Sequence, residues 1–250
     1  MKFDVELAML RLRTTAEIIS DARGGPIRKI INGRHHKPTG RYSSAKAKRS
    51  LPWEDRRERM YFWHCEADSE VINYLAQPHR LEIDIRLRTP LIYFPDIRRD
   101  MANGSVQIRE IKKVYDPHDD PEYDLKISLA REVYAGIGWS FEIVQSDEIE
   151  SRSKLATVRR IQRYRNVRVT THSQFAVLNI IEQSGGAAPF RRVAEVLGDG
   201  PSGEARLCAC IVRRIATVDI AAPLKSDSPV FLVPQHPKAD FGYGETLGAL

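Results

Sequence analysis

Apolar residues recur at helical spacing near the start of the chain, through Val5, Leu7, Ala8, Leu10 and Leu12, which predicts a short helix within residues 1–21. The stretch WEDRRERMYFWHCEADSEVINYL keeps that period through Met60, Phe62, Trp63, Val71, Ile72 and Leu75, and predicts a helix divided near Asp68–Ser69. The period then changes. In HRLEIDIRL, Leu81, Ile83, Ile85 and Leu87 alternate with polar neighbours, the signature of a half-buried strand. LIYFPDI predicts a second strand, DMANG a turn with Asn103–Gly104 as its hairpin signal, and SVQIREIKKV a third strand. After the polar loop DPHDDPE, YDLKISLAREVYAGIG predicts a helix ending at Gly136 or Gly138. WSFEIVQ predicts a fourth strand, and KLATVRRIQRYRN a basic helix.

From about Thr171 the pattern is different. QFAVLNIIEQSG, PFRRVAEVLG and GEARLCACIVRRIA predict three helices, with Pro189 suited to the first turn of the second. Two apolar runs follow, VDIAAPL and PVFLV, separated by KSDS. Three helices and a hairpin match a winged helix-turn-helix. The expected organisation is an N-terminal helix and arm over 1–50, an α/β domain over 51–168, a winged-helix-like domain over 169–236 and an irregular tail over 237–250.

Composition narrows the setting. A hydrophobic content of 42% supports a packed core. No apolar run reaches the roughly 18 residues of a membrane span. The start, MKFDVELAML, carries charge and lacks the apolar core of a signal peptide. Cys208 and Cys210 form a lone C-x-C with no second pair, which argues against structural zinc; the third cysteine is Cys65. These features lead to the expectation of a reducing bacterial cytoplasm. The net charge is +6, and its distribution says more than its size. Between Ala22 and Trp53 there is no acid, while Arg23, Arg28, Lys29, Arg34, Lys37, Arg41, Lys46, Lys48 and Arg49 are interleaved with Gly, Pro and Ser. Such a segment reads as a loosely ordered arm, either simply solvated or tracking the phosphates of a nucleic acid.

The chemistry lies in the strands. Residues two apart share a strand face, so Ile92, Phe94 and Asp96 are expected on one face of the second strand, and Val106, Ile108, Glu110 and Lys112 on one face of the third. Each face begins apolar and ends charged, and a buried carboxylate needs a cation or a hydrogen-bond network. A turn centred near Ala102 sets Asp96 opposite Ile108, with Glu110 its diagonal neighbour about 7–8 Å away. Two such carboxylates suit Mg²⁺, which takes one or two carboxylates and keeps waters and phosphate oxygens. Lys112 is placed to orient an attacking water. A salt bridge at a strand end is the structural alternative. Lys126 reads either as a surface lysine or as a contact to the scissile phosphate. His35–His36 read as solvated, and His64 with Cys65 as packing.

These residues carry a resemblance. VINYLAQP leading into a strand, YFPD, REIKK, the lysine-bearing helix YDLKISLAREVYAGIGWSFEIV and KLATVRRIQRYRN stand in the order of the PD-(D/E)xK nuclease superfamily. Within it, residues 54–165 resemble the N-terminal domain of TnsA-type transposon endonucleases. The resemblance implies a restriction-endonuclease-like α/β fold with a mixed sheet flanked by helices, and agrees with a winged-helix-like C-terminal domain. It adds a third acid on the early helix, matched here by Glu58, with Glu54 and Glu66 as rivals. Some family members carry glutamine at the position of Glu110.

The resemblance implies a Mg²⁺-dependent endodeoxyribonuclease, with Mn²⁺ as a substitute, cutting double-stranded DNA at the 5′ ends of a mobile element. Its partners would be a TnsB-like DDE transposase and a TnsC-like AAA+ ATPase. Glu58, Asp96, Glu110 and Lys112 form the expected catalytic set, and the three acids the expected metal ligands. A freestanding restriction or repair nuclease is the runner-up, and a non-catalytic winged-helix DNA-binding protein a third reading. Expected DNA contacts are Arg28, Lys29, Arg34, Lys37 and Arg41 in the arm, Lys126, and Arg206, Arg213 and Arg214. These last three belong to a helix in the recognition position, which serves DNA or a protein partner, with Leu207, Ile211 and Val212 packed inward.

Overall fold

The computed structural model describes residues 14–28, 38–85 and 89–234. The first described element is a strand, β1 (Thr14–Ser20), so the expected helix does not extend over these residues. The expected helix positions Val5–Leu12 lie outside the described residues, as do Lys29, Arg34, His35, His36, Lys37, Leu87 and the tail from 235. The described second half of the basic arm is ordered. It forms a hairpin of β2 (Gly40–Ser44) and β3 (Arg49–Trp53), with Tyr42, Leu51 and Trp53 buried. Its core comes from distant partners, which composition alone does not reveal.

Helix α1 (Arg56–Ala67) starts where the Asp55 side chain accepts a hydrogen bond from the Arg57 amide (2.8 Å). At its other end Lys46 Nζ donates to the carbonyls of Cys65 (2.9 Å) and Asp68. Lys46 therefore serves a helix C-terminus, where a cation satisfies orphan carbonyls and complements the dipole. Beyond the Asp68–Ser69 break the chain does not resume a helix. Val71–Ala76 is β4, followed by β5 (His79–Ile85) and the short β6 (Leu91–Tyr93).

LIYFPDI is likewise not one strand. β6 belongs to the antiparallel sheet β1–β5–β6, and the chain then crosses Phe94–Pro95 into β7 (Ile97–Met101) of a second sheet. Pro95 has no N–H to give a ladder, and the break falls there. Ile92 is accordingly exposed and Tyr93 buried, the reverse of the expected facing. β7 turns through Asn103–Gly104 into β8 (Val106–Lys112), and Gly104 adopts the left-handed φ of +84° that the turn requires.

Helix α2 (Pro121–Gly136) is capped by Asp120 and carries the chain over the sheet to β9 (Ser140–Gln145), which pairs parallel with β8. The second sheet is thus mixed, in the order β4–β7–β8–β9. One core, with Phe62, Cys65, Tyr74 and Ile97, joins it to α1 and the hairpin; another, with Leu81, Ile83, Ile108, Ile127 and Tyr134, joins it to α2 and the first sheet. The architecture is α/β.

The short α3 (Ser146–Glu150) leads to α4 (Arg152–Arg163). There follow α5 (Thr171–Gln183), β10 (Ala187–Pro189), α6 (Phe190–Glu195), α7 (Gly200–Val212), β11 (Ala216–Thr217) and β12 (Pro229–Leu232). The last three strands make an antiparallel sheet in the order β10–β12–β11. Pro189 sits at the N-cap of α6, one step before the expected first turn. Gly203 is a close-approach glycine: a Cβ there would stand 2.2 Å from the carbonyl oxygens of Ala194 and Gly198.

The C-terminal elements are not a loosely tethered unit. Their core takes in Val158 and Ile161 of α4 and Ala67 of α1. Arg160 forks onto Glu204 (2.7 and 2.8 Å) and also donates to the Leu224 carbonyl (2.8 Å). Arg214 Nε donates to the Ser69 carbonyl (2.6 Å). Among the described residues no helix is long and apolar enough to cross a membrane.

Candidate active site

The open ends of β7 and β8, away from their turn, gather the charged residues. Ile97 pairs with Arg109, so Asp96, one residue outside β7, comes level with Glu110. The turn is centred one residue later than the sequence pattern predicts, which makes Glu110 and not Ile108 the opposite neighbour of Asp96. The facing expected on β8 holds: Val106, Ile108 and Glu110 are buried, and Lys112 ends the row half-exposed.

Asp96 is held at two points. Its Oδ2 accepts from the Ile111 amide (2.7 Å), and its carbonyl accepts from the Gln77 amide (2.7 Å). Gln77 reaches that carbonyl from a left-handed backbone, φ +44°, which costs a non-glycine residue on the order of 1 kcal/mol. Glu110 is 5% exposed and fully engaged. Tyr93 OH donates to its Oε2 (2.6 Å), Tyr123 OH to its Oε1 (2.7 Å), and Lys112 Nζ lies 2.9 Å from Oε1. The same ammonium stands 4.4 Å from the centre of the Tyr123 ring, a cation–π contact.

Glu58 lies on the first turn of α1, and its Oε2 accepts from the Glu54 amide (2.9 Å). Burial pushes its carboxyl up to about 7, against the pull of that amide, and the charges of Glu54, Asp55 and Glu110 push the same way. Asp96 is driven well above the carboxylate range by burial, then by the charges of Glu110 and Glu58; the Ile111 amide and Lys112 oppose this. Burial also raises the Tyr93 and Tyr123 hydroxyls, and the charge of Glu110 adds to it, so both remain donors. Three acids thus feel one another's charge, with one lysine against them. That arrangement favours bound protons or a bound cation.

Of the rivals to Glu58, Glu66 is fully buried elsewhere, where its Oε1 accepts from Ser44 Oγ, the Ala45 amide (3.0 Å) and Tyr74 OH (2.9 Å). Glu54 pairs with Arg28 at 3.7 Å. His64 and Cys65 are buried as expected, with His64 Nε2 3.0 Å from the Ile149 carbonyl.

The expected DNA contacts scatter. Arg28 stacks over Phe94, 5.2 Å from its ring centre, one residue before the Pro95–Asp96 pair. Arg41 is exposed on β2 and bonded to Ser50. Lys126 lines a depression with Thr89, Pro90, Leu91 and Glu122, at the end of the first sheet. Leu207, Ile211 and Val212 pack inward as expected, and so do Cys208, Ala209 and Cys210, which leaves α7 buried over six consecutive residues. Arg206 donates to the Leu197 carbonyl, Arg213 to the Ala209 carbonyl (3.0 Å) and Arg214 to Ser69, so each is tied to the backbone.

Tyr93, Tyr123 and Gln77 were not singled out by the catalytic pattern. Tyr93 had a signal, since it opens the YFPD motif; Tyr123 had none, because only the passage of α2 over β8 brings its hydroxyl to Glu110.

Among the described residues no three histidine, cysteine or acidic side chains form a closed ligand cage. Glu58 is turned back on the Glu54 amide, and Glu110 is taken by its tyrosines and lysine. The donor chemistry nonetheless fits Mg²⁺, since Asp96 and Glu110 supply hard oxygens and the metal draws its other ligands from water and phosphate. A scan against models of protein families and a search of characterised proteins each give no match for this chain.

Proposed function

We propose that the chain is a metal-dependent DNA endonuclease of the PD-(D/E)xK type, and that it works as the 5′-end-cutting subunit of a heteromeric TnsA-like transposase. The observation that carries the nuclease reading is the meeting of Asp96, Glu110 and Lys112 at one end of a mixed sheet, with Glu58 within reach of their charge. On this reading the mixed sheet between α1 and α2 is a restriction-endonuclease-like core. The succession α5, β10, α6, α7, β11, β12 is that of a winged helix, here locked to the core through Arg160 and Arg214.

The division of labour follows from the contacts. Mg²⁺, or Mn²⁺ in its place, held by Asp96 and Glu110 with Glu58 alongside, would polarise the phosphodiester and lower the pKa of water at the site. Asp96 is aimed by the Ile111 amide, and its backbone is fixed by Gln77. Tyr93 and Tyr123 hold the Glu110 carboxylate in one orientation. Lys112, set between Glu110 and the Tyr123 ring, presents its ammonium to the attacking water. The products are 5′-phosphate and 3′-hydroxyl ends. The burial of α7 favours docking over groove reading for the C-terminal module, with a DDE transposase or an AAA+ ATPase as the partner class.

The test is cleavage. Purified chain is given plasmid and element-end DNA with Mg²⁺ or Mn²⁺, with and without the proteins encoded beside it. Nicking that needs metal, and that Asp96→Ala and Lys112→Ala abolish without loss of folding or DNA affinity, is expected. Wild-type rates in either variant overturn the site. Full activity without partners, at no preferred DNA end, shifts the reading to a freestanding nuclease.

A further inference from the structure

Two long stretches of the chain contain no acidic residue, 22–53 and 151–181. The structure packs them side by side. Arg165, just past α4, donates from Nε to the Ser43 carbonyl of β2 (2.8 Å), and its guanidinium lies 4.6 Å from the centre of the Tyr42 ring. The Tyr42 hydroxyl donates in turn to Gln162 Oε1 (3.2 Å).

Helix α4 buries Thr157, Val158, Ile161 and Gln162. At 3.6 residues per turn, Arg152, Arg159 and Arg163 fall together on the opposite side, and all three are exposed. Among the described residues no ion pair or hydrogen bond engages their guanidinium groups, whereas those of their neighbours Arg160 and Arg165 are committed to Glu204 and Ser43. The stripe is about 16 Å long, the span of roughly five phosphates along one DNA strand. Its non-arginine member is Ala156, so it lacks the aromatic and aliphatic centre of a protein interface.

A groove opens between α4 and α1. Leu155 of α4, Pro38 of the arm and Arg56, Arg57 and Arg59 of α1 line an open groove of about 720 Å³. Glu58 is not among its lining residues; at 3.6 residues per turn it stands on the side of α1 away from Arg56 and Met60. Asp55 and Glu150 also line it, and both engage Arg57, at 2.9 and 3.9 Å; Arg56 is exposed and has no such partner among the described residues.

We propose that the exposed face of α4, through Arg152, Arg159 and Arg163, binds the phosphate backbone of duplex DNA beyond the scissile phosphate. This rests on the nuclease reading for its purpose and on the arginine stripe for its chemistry. It moves the main phosphate-binding surface from the arm alone to a composite of arm and helix.

The test measures binding without cleavage. Full-length chain is titrated with labelled duplex DNA of unrelated sequences in EDTA, over a range of salt concentrations. The triple variant Arg152→Gln/Arg159→Gln/Arg163→Gln is expected to keep its melting temperature. Its slope of log affinity against log salt should be shallower by about 2 to 3, equally for every sequence, since each lost phosphate contact removes about 0.9. Should the triple variant melt early, the three single variants are read the same way, each removing about 1 from the slope. An unchanged slope in folded variants overturns the proposal, as does a wild-type chain that ignores DNA while the variants lose a protein partner. A chain that binds DNA through the stripe yet never cuts overturns the nuclease reading and leaves this surface standing.

Discussion

Among the described residues two glutamates, Glu66 and Glu110, are buried among tyrosines, and their electrostatic surroundings differ. Glu66 is sealed under the β2–β3 hairpin, where a serine, a backbone amide and Tyr74 converge on one of its oxygens. Glu110 receives Tyr93 and Tyr123 on its two oxygens and a lysine beside them. Burial and tyrosine donors are therefore common to both and mark neither as chemical. What separates them is like charge. Around Glu66 the contacts are those three donors, whereas the charge of Glu110 acts on Asp96 and Glu58 and helps to raise both above their ordinary pKa. A fold gains nothing by crowding acids, so the crowding points to a cation or proton that the acids hold together.

Charge-removing, shape-keeping substitutions give the largest contrast. Glu110→Gln should reduce metal-dependent cleavage by about a thousandfold or more, on the scale of one strong electrostatic contribution to a transition state. It should leave metal-free stability unchanged or raised, because one of three like charges is gone. Glu66→Gln should do the reverse. Neutral hydrogen bonds replace charge-assisted ones, at a cost of about 2 kcal/mol, and cleavage per folded molecule stays within about twofold. Chemical denaturation beside single-turnover cleavage reads both. Equal behaviour of the two variants would remove the distinction.

The next effect depends on pH. The Glu58 carboxyl sits at about 7 in the fold against an ordinary 4.5. Between those values the folded protein keeps a proton that the unfolded chain has released. Stability without metal therefore falls as pH rises through that window, by on the order of 3 kcal/mol from Glu58, and Asp96 acts in the same direction. A divalent cation replaces the protons, so millimolar Mg²⁺ should raise the melting temperature more at pH 8 than at pH 5.5. A shift equal at both values, or absent in a folded sample, counts against the cluster as a cation site. Glu66→Gln should retain the Mg²⁺ response and Glu110→Gln should lose most of it.

The smallest contrast is between tyrosines. Tyr123→Phe removes the donor that orients Glu110 beside Lys112, and is expected to slow cleavage about tenfold with little change in DNA affinity, near 1.4 kcal/mol of transition-state stabilisation. Tyr74→Phe removes a donor to Glu66 and should lower stability by about 1 kcal/mol with no effect on rate. A Tyr123→Phe enzyme at wild-type rate would reduce that hydroxyl to a structural hydrogen bond.

Part of this was readable from residue order. Strand alternation alone set Glu110 and Lys112 on one face after Val106 and Ile108, because the period of a strand is a local property. α2, with Asp120 and Pro121 at its start and glycines at its end, was equally local, as were the three C-terminal helices. Val71–Ala76 was not. Val71, Ile72 and Leu75 satisfy a helical period as well as a strand's, and a run of six residues cannot arbitrate between them. Burial beside β7 decided for strand.

The sequence by itself determined which segments could be buried, where Gly104 turns the chain, and that an acid and a lysine end an apolar strand. Only the tertiary structure decided which charges meet. Asp96 came level with Glu110 through a register that a single residue in the turn shifts, and Tyr123 reached it through the crossing of α2. Glu66 was buried by a hairpin that composition assigns to solvent, and α4 met that hairpin some 120 residues away along the chain, through Tyr42 and Gln162. Periodicity is set by backbone geometry, which each residue carries with it. The partners of a buried charge are set by desolvation, which only the packed neighbours can impose or relieve.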